Sequence, residues 1–186
     1  MKEMSYIQSF PPIADAAANT LILGSIPGKA SLRAGQYYAH PRNVFWALMG
    51  ELAGAGPALP YRARTKILKS AGIALWDVLA SCTRRSSMDA DIDTASMCPN
   101  DFASFFRTHP HITHVFFNGN MAEKCFRMQV LPLLASLPEH RQLYYLRLPS
   151  TSPAYASMRY EQKLGAWKVI LQSGRQDEKR RTNNLA

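Results

Sequence analysis

Cysteine is scarce in this 186-residue chain: Cys82, Cys98 and Cys125 stand far apart, and no CxxC pair occurs. An odd, sparse set excludes a disulfide framework and falls short of the four thiolates an iron–sulfur cluster takes. Reduced, buried thiols of an intracellular protein are expected instead. No apolar run approaches the roughly 18 residues of a spanning helix, and the opening MKEMSYIQSFPPIAD lacks the apolar core of a secretory signal. No membrane partner and a cytoplasmic location are therefore expected. Acidic residues are also few, 13 against 22 Lys and Arg, for a formal charge of +9. In the tail, Arg175, Lys179, Arg180 and Arg181 oppose Asp177 and Glu178, so most of the excess belongs to the body. That balance suits a polyanionic partner such as DNA.

Three familiar ligand motifs fail as well. GSIPGKAS approaches a phosphate-binding loop, but Leu23 stands where its first glycine belongs and Ala30 where its hydroxyl belongs. The dinucleotide pattern G-x-G-x-x-G is missing. Asp89, Asp91 and Asp93 alternate like a calcium loop without its glycine and terminal glutamate. No metal and no cofactor are expected.

What is present is an alternation of short apolar runs with helical patterns. Thr20–Leu23, Ile73–Val78, Thr113–Phe117 and Leu143–Leu148 read as strands. Residues 1–19 read as an irregular lead-in and 81–98 as a long loop. Helices are expected from Pro41 onward, over 61–71, after an Asn100 cap, from Met121 to Arg127 with Pro132 interrupting beyond, and over 157–172. The pattern predicts an α/β three-layer sandwich, a central, mainly parallel four-stranded sheet flanked by helices. One domain spans 1–173, and 174–186 form a charged, disordered tail. Three strands run into polar loops, GSIPG, NGN and PSTSP, which such a sheet collects at its carboxyl edge.

The segment GSIPGKASLRAGQYYAHPRNVFW resembles the first motif of the uracil-DNA glycosylase superfamily, a G-x-N-P-G turn followed by F-A-x-P-x-N-R-F-W. The hypoxanthine-DNA glycosylase branch is nearer, with its S-L, Q-Y-Y-x-H-P-x-N and F-W. LPSTSPA at Leu148–Ala154 is similar to that branch's second motif, and IALWDVLASCTRRSSMDADI and VFFNGNMA lie between in the same order. The resemblance spans roughly Leu21 to Trp167. It implies the uracil-DNA glycosylase-like fold and excision of a deaminated base flipped out of DNA.

On that resemblance, Tyr38 is the aromatic that stacks on the base, and the backbone N–H groups of Ser25 and Ile26 bind a base oxygen. Asn118 and His40 join them as base-binding candidates. Other branches carry a water-activating Asp or Asn in the turn, where this chain has Ile26. The branch assigns catalysis to the asparagine of H-P-x-N, which is Asn43. Each assignment has a plainer counterpart: Tyr38 a core residue, Asn43 a helix-start residue, Asn118 a turn residue, His40 a structural one. Ser150, Thr151, Ser152, Pro153 and Tyr155 form the loop expected on DNA, the serines at phosphates and Pro153 or Tyr155 in the vacated stack. Arg84, Arg85 and Ser87 lie in the long loop as candidate phosphate contacts, with a solvated face as the plainer reading of the charged pair. The expected partner is DNA containing deaminated bases, acted on by a monomer. Hypoxanthine is the first substrate, with uracil or a mismatched base as the alternative and a non-catalytic DNA-binding protein as the other-class reading.

Overall fold

The computed structural model describes residues 4–86, 88–136 and 142–171. The expected tail and Ser87 lie outside them. Four strands form the central sheet: β2 (Thr20–Gly24), β3 (Ile73–Asp77), β6 (His114–Asn118) and β7 (Tyr144–Leu148). Every pairing is parallel, in the order β3-β2-β6-β7. β2 and β3 are buried at every position. That is why TLILG and IALWD read as continuous apolar runs rather than alternating ones: helices cover both faces.

β2 leads outward to β3 on one side, while β6 leads to β7 on the other. The crevice therefore opens between the carboxyl ends of β2 and β6, where open α/β sheets place ligands. The GSIPG turn leaves β2, Asn118-Gly119 ends β6, and PSTSP leaves β7, so the expected convergence of the three loops is what the strand order produces.

A second sheet was not expected. β1 (Ser5–Gln8), β4 (Leu79–Arg84) and β5 (Cys98–Pro99) pair antiparallel. β1 lies in the lead-in read as irregular, and β4 enters the stretch read as a loop. Both carry many polar residues, which hid them. Two short 3-10 turns, Asp89–Asp91 and Thr94–Ser96, account for much of the remainder.

Helices α1 (Lys29–Ala34), α2 (Phe45–Ala53) and α3 (Tyr61–Ser70) connect β2 to β3. α1 forms between the GSIPG turn and Pro41, where no helix is expected from the sequence. Pro41 does not begin α2; it sits in the turn before it, and the helix starts at Phe45. α4 (Phe102–Thr108) is capped by Asp101, whose carboxylate accepts from the Ser104 N–H, rather than by Asn100. The Asn100 amide instead donates to the Asp77 carbonyl at 2.9 Å. After β6, α5 (Asn120–Cys125) runs through a π-helical turn into α6 (Leu131–Ala135). Pro132 stands in the first turn of α6 and does not break the run. α7 (Tyr160–Trp167) is shorter than the 157–172 expected. Trp167 and Ile170 face inward, whereas Leu171 is exposed.

Trp167, Phe45, Phe116, Phe117 and Phe126 are among the largest fully buried side chains. Cys82 and Cys125 are buried as expected, but Cys98 is exposed. Among the described residues, no helix is long and apolar enough to cross a membrane.

Candidate active site

The turn after β2 is held from behind. Its carbonyls are taken by the β3–β4 junction: Val78 N–H donates to Gly24 O at 2.8 Å and Leu79 N–H to Ser25 O at 3.1 Å. Arg84, only 1% exposed, donates its guanidinium to the Pro27 carbonyl. Neither expectation for Arg84, phosphate contact or a solvated face, survives, because the side chain runs inward beneath the turn. The Ile26 side chain is buried in the core, so it offers no chemistry to the crevice. Its N–H meets no acceptor among the described residues. Glycine is required at 24, where a Cβ would stand 2.3 Å from Asp77 Oδ1 and 2.9 Å from the Tyr38 hydroxyl.

Tyr37 and Tyr38 are adjacent and divide their roles. Tyr37 is buried, and its hydroxyl donates to the Phe10 carbonyl at 3.1 Å. Burial, reinforced by the Asp77 carboxylate, pushes its phenol far above the ordinary tyrosine value, so it stays neutral. Its backbone is pinned on both sides: Tyr37 N–H donates to the Tyr61 hydroxyl at 3.0 Å, and Trp46 Nε1 donates to Tyr37 O at 2.8 Å. Tyr38 then takes φ 54°, a left-handed conformation that costs a bulky residue energy and that the fixed Tyr37 sustains. The half-buried Tyr38 ring lies on Phe45, with centroids 4.1 Å apart and planes 24° apart. Phe45 in turn meets the edge of Trp167.

Two residues beyond Tyr38, His40–Asn43 forms a closed turn. Asn43 N–H donates to His40 O at 2.8 Å, and Arg42 N–H donates to His40 Nδ1 at 3.1 Å. With Nδ1 accepting, the neutral ring carries its proton on Nε2. The Asn43 Oδ1 accepts from Phe45 N–H at 3.0 Å. The carboxamide thus satisfies an otherwise free amide at the start of α2, which fixes its orientation. One Oδ1 lone pair and the Nδ2 hydrogens remain.

The other two loops meet at Thr151. Asn118 Nδ2 donates to Thr151 Oγ1 at 2.8 Å, and Thr151 N–H donates to Asn118 Oδ1 at 2.9 Å. Both ends of the amide expected to read a base are therefore engaged with a neighbouring loop. Thr151, expected on the DNA face, is 1% exposed and points inward. Ser150 Oγ accepts from Ser152 N–H and Ser152 Oγ from Ala154 N–H, both at 3.2 Å. These turns leave each hydroxyl hydrogen available to a phosphate oxygen. Pro153 is half-buried, and Tyr155 is exposed. Helix α7 holds the loop's ends: Trp167 Nε1 donates to Pro149 O at 2.9 Å and Lys163 Nζ to Tyr155 O at 2.8 Å. Burial pushes the Lys163 ammonium below the ordinary lysine value.

The family model of the uracil DNA glycosylase superfamily matches residues 11–172. The chain belongs to that superfamily. Two curated relatives, both named hypoxanthine DNA glycosylase, share this superfamily member's sequence over long stretches. The protein of Methanosarcina barkeri is 39% identical over 60% of this chain and 70% of its own. That of Methanosarcina acetivorans is 36% identical over 62% and 72%. A solution NMR structure of a candidate uracil DNA glycosylase from Methanosarcina acetivorans superposes with a TM-score of 0.73 at 30% identity, covering 91% of this chain and 99% of that one.

In this superfamily member, then, Ser25, Ile26, Tyr38, His40 and Asn43 come from one continuous stretch leaving β2, and Asn118 and Ser150–Tyr155 come from the two strand ends beside it. Sequence reasoning missed the residues behind these. Asp77 is buried at the end of β3, where Ser9 Oγ donates to its Oδ2 at 2.9 Å. An acid closing an otherwise apolar run was the available signal. Arg84 was singled out for phosphate or solvent, but its place beneath the turn carried no signal, because a polar strand reads as a loop. Among the described residues, no group of His, Cys, Asp or Glu is placed to hold a metal ion. The Asp93 carboxylate serves instead to cap a 3-10 turn through Ala95 N–H.

Proposed function

We propose that this superfamily member is a monofunctional DNA glycosylase that hydrolyses the N-glycosidic bond of deoxyinosine, releasing hypoxanthine. The observation that carries the reading is the turn after β2. Its Ile26 side chain is buried, so the turn has backbone groups to offer and no acid, while a preoriented carboxamide, Asn43, stands at the end of the same segment. The names of the two curated relatives support the same substrate.

The flipped nucleotide lays its base on the Tyr38 ring, which Phe45 backs. As the bond to the base breaks, charge builds on the base and an oxocarbenium-like centre forms at C1′. The Ile26 N–H, with that of Ser25, donates to the base oxygen and stabilises the departing anion. Asn43 is too weak a base to remove a proton early. Its remaining lone pair on Oδ1 holds the water in line with C1′, and the held geometry supplies the advantage. His40 Nε2–H donates to phosphate or to the leaving base. The hydroxyls of Ser150 and Ser152 donate to backbone phosphates, and Tyr155 fills the vacated stack. No lysine is assigned as a nucleophile, so no strand cleavage accompanies base loss.

The test uses duplexes carrying one hypoxanthine or one uracil, with alkali to cleave abasic sites afterwards. Release of hypoxanthine ahead of uracil is expected. Preferential uracil release moves the substrate to the other base. No release of either overturns the enzyme reading and leaves a DNA-binding protein.

A further inference from the structure

The hydrogen bonds around Thr151 connect more than two loops. Its N–H and hydroxyl meet the Asn118 amide, while its carbonyl accepts from Val44 N–H at 3.2 Å. Val44 lies between Asn43 and Phe45, whose N–H the Asn43 carboxamide accepts. Two successive amides at the start of α2 are thus fixed, one by Thr151 and one by Asn43 itself. The same Thr151 sits in the loop expected to enter DNA, with Pro149 and Tyr155 on either side tied to α7. Gly119 allows the close approach. A Cβ there would stand 2.9 Å from Ser150 Cβ, and its φ of 94° suits glycine alone.

We infer that Asn118 and Thr151 are positioning residues for Asn43, and that they transmit the seating of the 149–155 loop on DNA to the group that holds the water. Asn118 fixes Thr151, Thr151 fixes the Val44 amide, and the Asn43 carboxamide takes its orientation from that anchored helix start. The buried hydroxyl of Thr151 never meets DNA. This inference rests on the proposed function and adds a second role to the loop: besides gripping phosphate, it aligns the active site. Asn118 therefore acts through contacts to protein rather than to the base edge.

The test compares wild type, Thr151→Val and Thr151→Ser on a duplex with one hypoxanthine, measuring single-turnover release and duplex affinity separately. Valine keeps the shape and the backbone bonds but leaves Asn118 Nδ2 without its acceptor. Release is expected to fall about tenfold, the size of one lost ordering hydrogen bond, with Kd unchanged within about twofold. Serine restores the rate. A rate equal to wild type overturns the inference, as does a loss of affinity with the bound-state rate intact, which would make the loop a grip alone. Equal loss in the serine variant overturns it as well. If Thr151→Val does not melt cooperatively, Asn118→Leu breaks the same link from the other side and is read by the same two measurements. Wild type that releases neither base overturns the glycosylase reading, and the inference falls with it; active wild type with unaffected variants overturns the inference alone.

Discussion

Strands β2 and β3 of the parallel sheet are buried along their whole length, whereas in the antiparallel sheet β1 is mostly exposed and β4 mixes buried with half-buried positions. Their contributions to the crevice differ in the same way. The parallel sheet ends in the loops that carry Ser25, Ile26, Asn118 and Ser150–Tyr155. The antiparallel sheet braces one of those loops from behind, through Arg84 on the Pro27 carbonyl, while Ser9 just past β1 reaches Asp77. Position comes from one sheet and rigidity of the turn from the other. Substitutions in the two should therefore fail differently.

The largest loss is expected in the parallel sheet. Phe116→Ala removes a fully buried ring from β6 and should cost about 3–5 kcal/mol in chemical denaturation. A much smaller cost would mean that this sheet is not the core. Gly24→Ala tests the seam between the two regions. Its new Cβ drives against Asp77 Oδ1 and the Tyr38 hydroxyl, so a loss of about 1–3 kcal/mol is expected, together with slower base release as Tyr38 is displaced. Arg84→Met isolates the brace. Leaving the Pro27 carbonyl without this donor should cost about 1–3 kcal/mol and slow base release while duplex affinity holds. Wild-type melting with wild-type release would remove the brace from the account.

The smallest effect lies away from both. The Ser104 N–H holds the Asp101 carboxyl below the usual carboxylate range. A depressed folded-state pKa stabilises fully above the unfolded value and loses that stabilisation as pH falls through the folded one. Asp101→Ala should therefore melt lower at neutral pH, by about 1 kcal/mol, and the gap should narrow below about pH 4. A gap that stays constant into acid would remove the charged cap.

The same contrast decides what was legible in the sequence. TLILG, IALWD and HVFFN announced the parallel sheet, because strands covered on both faces are apolar with little interruption, and YYLRL at the sheet edge stayed legible through its tyrosines and leucines although it is only partly buried. The motif loops followed from the strand ends. SYIQ and LASCTR were not legible, since a partly exposed strand rich in serine, threonine and arginine has the composition of a loop. The start of α2 was misplaced because Pro41 is as much at home in a turn as in a first helical turn. Side-chain direction was the least legible of all. Nothing in PSTSP distinguishes Thr151, which turns inward to Asn118, from the serines beside it, and nothing in NGN reveals that the Asn118 amide is already engaged.

The central claim is that the GSIPG turn supplies backbone donors while Asn43 supplies the side chain that directs water. Single-turnover release of hypoxanthine from a duplex by wild type and by Asn43→Ala tests it directly. Wild type is expected to release the base, and the variant to lose about 10²-fold or more in rate at unchanged duplex affinity. Equal rates for the two proteins would contradict it.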